Sequence, residues 1–457
     1  MNVRIGRSLA TALLALWLTA CGGGGGNSGG GAGMPGGVSA AAQSGAAVAA
    51  DSGYGAAANG NGSGGGDASA SAAGASGASG AGDATASGIG GDGSGVGSGG
   101  TGVSASAGVG IGSVDGLGSV IVNGVRYNTN TAQFSVEDAA ELQLGMSLKV
   151  SGSVDGNLKA GTAVRVESAA ELRGLASSVD AAGGSFTVFG TTVSTDPETV
   201  WADSAGLSGI AAGSAVQVWG LPAAPGTLRA TRVARVSAAS APVLTGTVQN
   251  LDPIRREFNI GPVRISYLAA TFVGGLTDAT LANGQLVRVR AGAWDGVSAL
   301  ASTSVQPWYT VPQTPGIRVD LNGVITDYAS LASFRLLGTA VDATGAQITG
   351  GQNANVGNGV KVEVAGLLNN GVVVATKLKI RHIPGMGGPS SFTLIGTVGS
   401  FAGPASFRVR GQPVSASAPT VVFVNGSLGG LGNGAKVTVV GSRVVNGTLQ
   451  ADTVTFD

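Results

Sequence analysis

The sequence predicts an all-β protein: five tandem, small, five-stranded antiparallel barrels behind a long Gly/Ala/Ser-rich segment. The first observation is a landmark repeated five times, a glycine followed by alternating apolar residues and a second glycine. It reads GMSLKVSG from Gly145, GSAVQVWG from Gly213, GQLVRVRAG from Gly284, GVKVEVAG from Gly359 and GAKVTVVG from Gly434. The first glycines are spaced 68, 71, 75 and 75 residues apart, and a regular period of this size marks repeated domains. The second observation is that apolar residues recur two apart, which is the period of a strand and not of a helix.

The chain starts with Arg4 and Arg7, an apolar run from Leu9 to Trp17, then small residues. That order is a secretory signal over residues 1–20, with an apolar stretch too short to span a bilayer. It ends in Leu18-Thr19-Ala20-Cys21, and Cys21 is the single cysteine of the chain. Residues 21–108 are almost entirely Gly, Ala and Ser. So few large apolar side chains cannot offset the entropy of ordering, so this segment is expected to be a flexible tether.

Each repeat then follows one plan. An opening strand surrounds a glycine: ELRGLASSVD from Glu171, VLTGTVQNLD from Val243, DLNGVITDY from Asp320 and FTLIGTVGSF from Phe392. A second strand ends in glycine, as in Phe186 to Gly190, Phe334 to Gly338 and Phe407 to Gly411, with Val120 to Gly124 and a shortened Phe258 to Gly261 in repeats one and three. A third lies near Thr420 to Val424 and its equivalents, and the landmark supplies the fourth. Hairpin dipeptides then join the fourth strand to the fifth: Asp155-Gly156, Asp295-Gly296, Asn370-Gly371 and Asn446-Gly447. Repeat two has a Pro-Ala-Ala-Pro-Gly loop there instead.

Five short strands in about seventy residues are too few for a sandwich, and closure into a Greek-key barrel of the OB type removes the exposed edges. The expected domains are 109–168, 171–238, 242–308, 317–383 and 390–457. Short separators between them, some with proline, suggest an articulated rod.

Composition narrows function. The 25 basic and 25 acidic residues cancel, which disfavours nucleic-acid binding, since phosphate neutralisation needs a basic excess. The one histidine, His382, ends a fifth strand among basic neighbours; a solvated strand-end residue is the expectation, not a triad member. With one His and one Cys, no His/Cys metal site is available, and no cofactor is implied. Asp115, Asp155, Asp180 and Asp295 sit in turns or just after strands, where turn chemistry accounts for them. Strand alternation turns Trp219, Arg288 and Arg290 outward and places Trp294 and Trp308 near a turn and a joint. These five are the candidate ligand-binding residues, able to stack on sugars or bind anions. The bland alternative is packing between adjacent repeats.

Two resemblances add to this reading. Leu18-Thr19-Ala20-Cys21 resembles the bacterial lipobox, which implies lipid attachment at Cys21 and a cell-envelope location; Gly22 leans toward the outer membrane. The repeats resemble a domain-of-unknown-function family (number 5666), which is OB-like, occurs in tandem in lipoproteins and brings no activity or site residues. The expected function is a non-enzymatic, lipid-anchored spacer and interaction module of the envelope. The alternative is an envelope glycan-binding protein using repeats two and three.

Overall fold

The computed structural model describes residues 105–388 and 391–457. The signal segment, Cys21 and nearly all of the expected tether lie outside these residues. Among the described residues the chain is all-β, with short 3₁₀ turns and no α-helix.

The first unit shows the plan. Its strands are β1 (Ser106–Leu117), β2 (Val120–Val122), β3 (Val125–Asn128), β4 (Gln133–Val136), β5 (Ser147–Val154) and β6 (Ala160–Ser168). Antiparallel pairing runs from β1 to β2 to β3, and β3 pairs in parallel with β6. β6 returns through β5 to β1, so the pairing forms a closed cycle, while β4 extends the parallel edge along β6. Closure leaves this small sheet without a free edge for another chain to join. The same cycle recurs in four further units spanning 172–235, 243–307, 318–382 and 392–456.

The units have six strands where five were expected, seven in the third because its opening strand is broken at Val248, and the added strand after the second has one local cause. The glycine closing the predicted second strand is the second residue of a tight turn, and a further short strand follows it. Asn123 and Gly124 have φ of 54° and 78°, Leu337 and Gly338 51° and 77°, and Arg410 and Gly411 52° and 78°. Paired positive φ angles of this kind make the type I′ turn that suits the twist of a hairpin. The expected hairpins at Asn370-Gly371 and Asn446-Gly447 have the same geometry. Asp295-Gly296 does not: it belongs to a longer loop between Ala291 and Leu300.

The landmark glycines divide into two jobs. The first of each pair takes a left-handed φ, from 77° at Gly145 to 90° at Gly434. The second sits at a bulge where the register of the fourth and fifth strands shifts. A Cβ there would lie 2.0 Å from Thr162 O at Gly152, 2.2 Å from Val374 O at Gly366 and 2.1 Å from Gln450 O at Gly441. The third unit bulges between Arg290 and Ala291, and the displaced Gly292 meets nothing.

Close approach also explains why composition put the tether boundary too late. Ser106 to Gly108 pair with Val154 to Gly152 as the start of β1. A Cβ at Gly108 would be 2.6 Å from Val154, and one at Gly110 would be 2.8 Å from the Tyr127 hydroxyl. These glycines serve a crowded strand, although in sequence they continue the low-complexity segment.

The units do not form an articulated rod. β1 pairs in parallel with Arg318–Ser330 of the fourth unit and Phe392–Gly403 of the fifth. The opening strands of units two and three pair with each other at Leu172–Leu244. Units one and five share one apolar core and units two and three another, and Val109 and Ile111 of β1 enter the core of unit four. The outer faces of these small units are apolar enough to be covered by neighbours, which a string of separate beads would leave wet.

Because the bulge glycines are fixed by backbone contact, Gly441→Ala is expected to destabilise the chain by about 2 kcal/mol. Gly292→Ala is expected to change stability by less than about 0.5 kcal/mol. Urea unfolding of both variants checks this.

Candidate binding site

The five candidate residues split according to what covers the outward faces. Trp219, Arg288 and Trp308 are buried, which is the packing between repeats set against ligand binding above. Neighbouring units close over the faces that strand alternation turned outward.

The centre of this closure is Glu171, a carboxylate fully out of solvent in the separator between units one and two. Arg288 of unit three contacts its Oε1 at 3.1 Å, and the Trp308 indole N–H donates to the same oxygen at 3.0 Å. Ser147 of unit one lies 2.8 Å from Oε2, and the Gly220 N–H of unit two donates to Oε2 at 2.7 Å. Burial pushes this carboxyl upward, and Arg288 with the three neutral donors pulls it back. Arg288 also donates to the Ala170 carbonyl at 3.0 Å and lies over the Tyr309 ring at 5.2 Å. Trp219 packs into the core of units one and five, with the Arg232 guanidinium 6.0 Å above its ring.

Arg290 is half-buried at a second junction. Its guanidinium grips Asp138 of unit one at 2.8 and 2.7 Å and Glu137 at 2.7 Å, while Arg173 of unit two also pairs with Asp138. Burial alone would raise the Asp138 carboxyl, but the bonds and charges of Arg290 and Arg173 prevail and hold it at about 2.

A third lattice joins units two and four. Lys361 is buried against Glu198 and lies 3.8 Å from Asp196. Arg381 bridges Glu198 and Glu363, each at 2.7 Å, and Arg229 lies 3.6 Å from Asp196. Asp115 borders this lattice: burial pushes it up to about 7, with Glu363 and Glu198 adding to the rise and Arg381 and Lys361 opposing it. His382 is half-buried beside it, with Nδ1 lacking a hydrogen-bond partner and burial holding its pKa down. The expected solvated position is therefore not the one observed.

Trp294 alone among the five faces an open cleft. Its ring meets Phe189 edge to face, with centroids 5.2 Å apart at 68°. The loop that carries it is shaped by Asp295, whose Oδ1 accepts from the N–H groups of Val297 and Ser298 at 2.9 and 2.8 Å. The indole N–H is anchored on the Ser298 carbonyl at 2.8 Å. The cleft between units two and three has a volume of about 940 Å³. Its walls include Leu175, Phe189, Pro242, Pro262, Trp294 and Val297, with Arg173 and Arg264 as polar lining. Leu175 and Val297 are exposed. A comparable cleft of about 960 Å³ touches units two, three and four but holds no aromatic side chain.

Among the described residues no group of three or more His, Cys, Asp or Glu is placed to hold a metal ion. Sequence reasoning did not find Glu171, Asp138, Glu198 or Lys361. The available signal was the pair of outward arginines at 288 and 290, which have no acidic partner within their own strand.

These features define an all-β protein of repeated units whose outward charges are consumed in joining the units, leaving an aromatic cleft between two of them. The chain belongs to the family described as a domain of unknown function (DUF5666), which matches residues 173–234, 245–301, 322–379 and 395–455. The first unit lies outside the matched segments. No curated protein matches the chain.

Two measurements test the junctions. Lys361→Met leaves Glu198 and Asp196 buried with too little countercharge, and is expected to lower stability by about 3 kcal/mol in urea unfolding. Asp138 is held below its unfolded value, so its stabilisation is present above about pH 4 and is lost as pH falls toward 2. Asp138→Asn should therefore lower stability at pH 7 and flatten the pH dependence of unfolding across that window.

Proposed function

We propose that the chain is a non-enzymatic lipoprotein of the bacterial envelope and works as an interaction module. In this reading Cys21 carries the lipid and the Gly/Ala/Ser-rich segment is the tether. Each of the five β units is an OB-like barrel: the cycle of antiparallel pairs closed by one parallel pair supports that assignment. Spacing from an outer membrane falls to the tether, because the barrels pack into one body.

The observation that carries a binding role is the cleft at Trp294. A half-exposed indole beside Phe189, flanked by exposed Leu175 and Val297, presents apolar surface that a folded chain usually covers. Clefts of this size with a few fixed polar groups are the usual form of a ligand site. Trp294 also favours the second reading, an envelope glycan. An aromatic face beside polar groups can stack on a sugar while Arg264 and backbone groups bond its hydroxyls.

Metabolic labelling with palmitate is expected to mark the wild-type chain and not Cys21→Ala, which should be released from membranes. Labelling that persists in the variant would refute the attachment site. On a glycan and peptidoglycan panel, the soluble 105–457 fragment should bind a component, and Trp294→Ala should weaken it at least about tenfold. Retention of an envelope protein with no glycan bound would favour the interaction reading over the glycan one.

A further inference from the structure

The junction of units one and four holds a third, polar cavity of about 140 Å³. It takes no part in the Trp294 cleft. Asp320, Glu363 and Asn123 line it and are 5%, 8% and 8% exposed. Lys377 and Lys379 also line it and are themselves exposed, so they stand at its rim. Leu158 contributes an apolar wall.

The charges here are not balanced in place. Glu363 is matched by Arg381 at 2.7 Å and by Lys379 at 3.8 Å. Lys377 donates to the Asn157 carbonyl at 2.8 Å, which ties the rim to the turn of unit one. Asp320 takes part in no ion pair among the described residues. A buried carboxylate without a cation is costly, and such groups gather where a ligand or proton completes them. Asn123 lines the same region, and its amide nitrogen donates to the Asp320 carbonyl at 3.3 Å.

We propose that this cavity binds a small zwitterion of amino-acid size, its ammonium group on Asp320 and its carboxylate on Lys379 and Lys377. A bare cation would meet two ammonium groups at the rim. A simple anion or a neutral polyol brings no cationic group that could take the place of the Asp320 proton. The volume corresponds to roughly four or five waters of liquid, which suits glycine, alanine or serine.

Asp320 is pushed well above the usual carboxylate range by burial first and by Glu363 and Asp115, with Asn123 and Lys377 opposing. Lys379 and Arg381, on the same strand as Lys377, are paired with the neighbouring Glu363. An arriving ammonium group therefore displaces a proton from Asp320 to solvent. Affinity should rise with pH until that carboxyl is ionised in the free protein.

Titration calorimetry of the full chain tests this with glycine and L-alanine, and with N-acetylglycine and glycinamide as ligands lacking one charge each. The zwitterions are expected to bind at millimolar concentration or below, with a buffer-dependent heat that reports proton release. Each single-charge ligand and Lys379→Gln should bind about tenfold more weakly, the loss of one ion pair. Lys379→Gln should leave the unfolding midpoint unchanged, and Asp320→Asn should weaken binding by at least the same factor of about ten. If Asp320→Asn does not fold, Lys379→Gln and the single-charge ligands carry the test. No heat from either zwitterion, equal binding of N-acetylglycine, or unchanged binding to Lys379→Gln would each overturn the proposal. Trp294→Ala leaves this result untouched, so it stands or falls apart from the glycan reading.

Discussion

The burial of Glu171 is the constraint on which the rest depends. Taking a carboxylate out of water costs several kcal/mol unless charge and hydrogen bonds meet it. Here the partners come from three units: Ser147 from the first, Gly220 from the second, and Arg288 and Trp308 from the third. Separating those units would strand both Glu171 and Arg288. Asp138 and the Lys361 lattice repeat this logic at two other junctions. Linkers that look pliable in sequence therefore join units that are locked by charge.

Apolar packing follows the same lines. The first unit contributes to a core shared with the fifth, and its opening strand pairs with the fourth and fifth. That strand can approach the fifth unit so closely because Gly116 and Gly118 carry no side chain: a Cβ there would lie 2.4 Å from Thr393 O and 2.2 Å from Ile395 O. Glycine here buys contact between backbones, whereas in the landmark it supplies a left-handed turn and a bulge.

The binding reading depends on what this packing leaves over. Strand alternation shows that Trp219, Arg288 and Arg290 face away from their own unit, and the structure agrees. What alternation cannot show is whether solvent or another unit lies on that side. Burial removes Trp219, Arg288 and Trp308 from any open face, and Arg290 is spent on Asp138. Trp294 remains at an open cleft because its loop projects beyond the strands, held by Asp295 and Ser298.

Sequence alone determined the all-β class, the repeat, the landmark glycines and the hairpins at Asn370-Gly371 and Asn446-Gly447. Each is a local property, set by side-chain alternation or by the φ angle that a residue tolerates. It undercounted the strands, since a glycine ending one strand and a glycine turning into the next look alike in a short apolar run. Only the tertiary structure decided that the units merge, that Glu171 and Lys361 are buried, and which tryptophan stays open. Those outcomes rest on partners such as Arg288 with Glu171 and Lys361 with Glu198, 117 and 163 residues apart. A local pattern carries no trace of which outward face will meet which, because that is set by the free energy of the assembled surfaces.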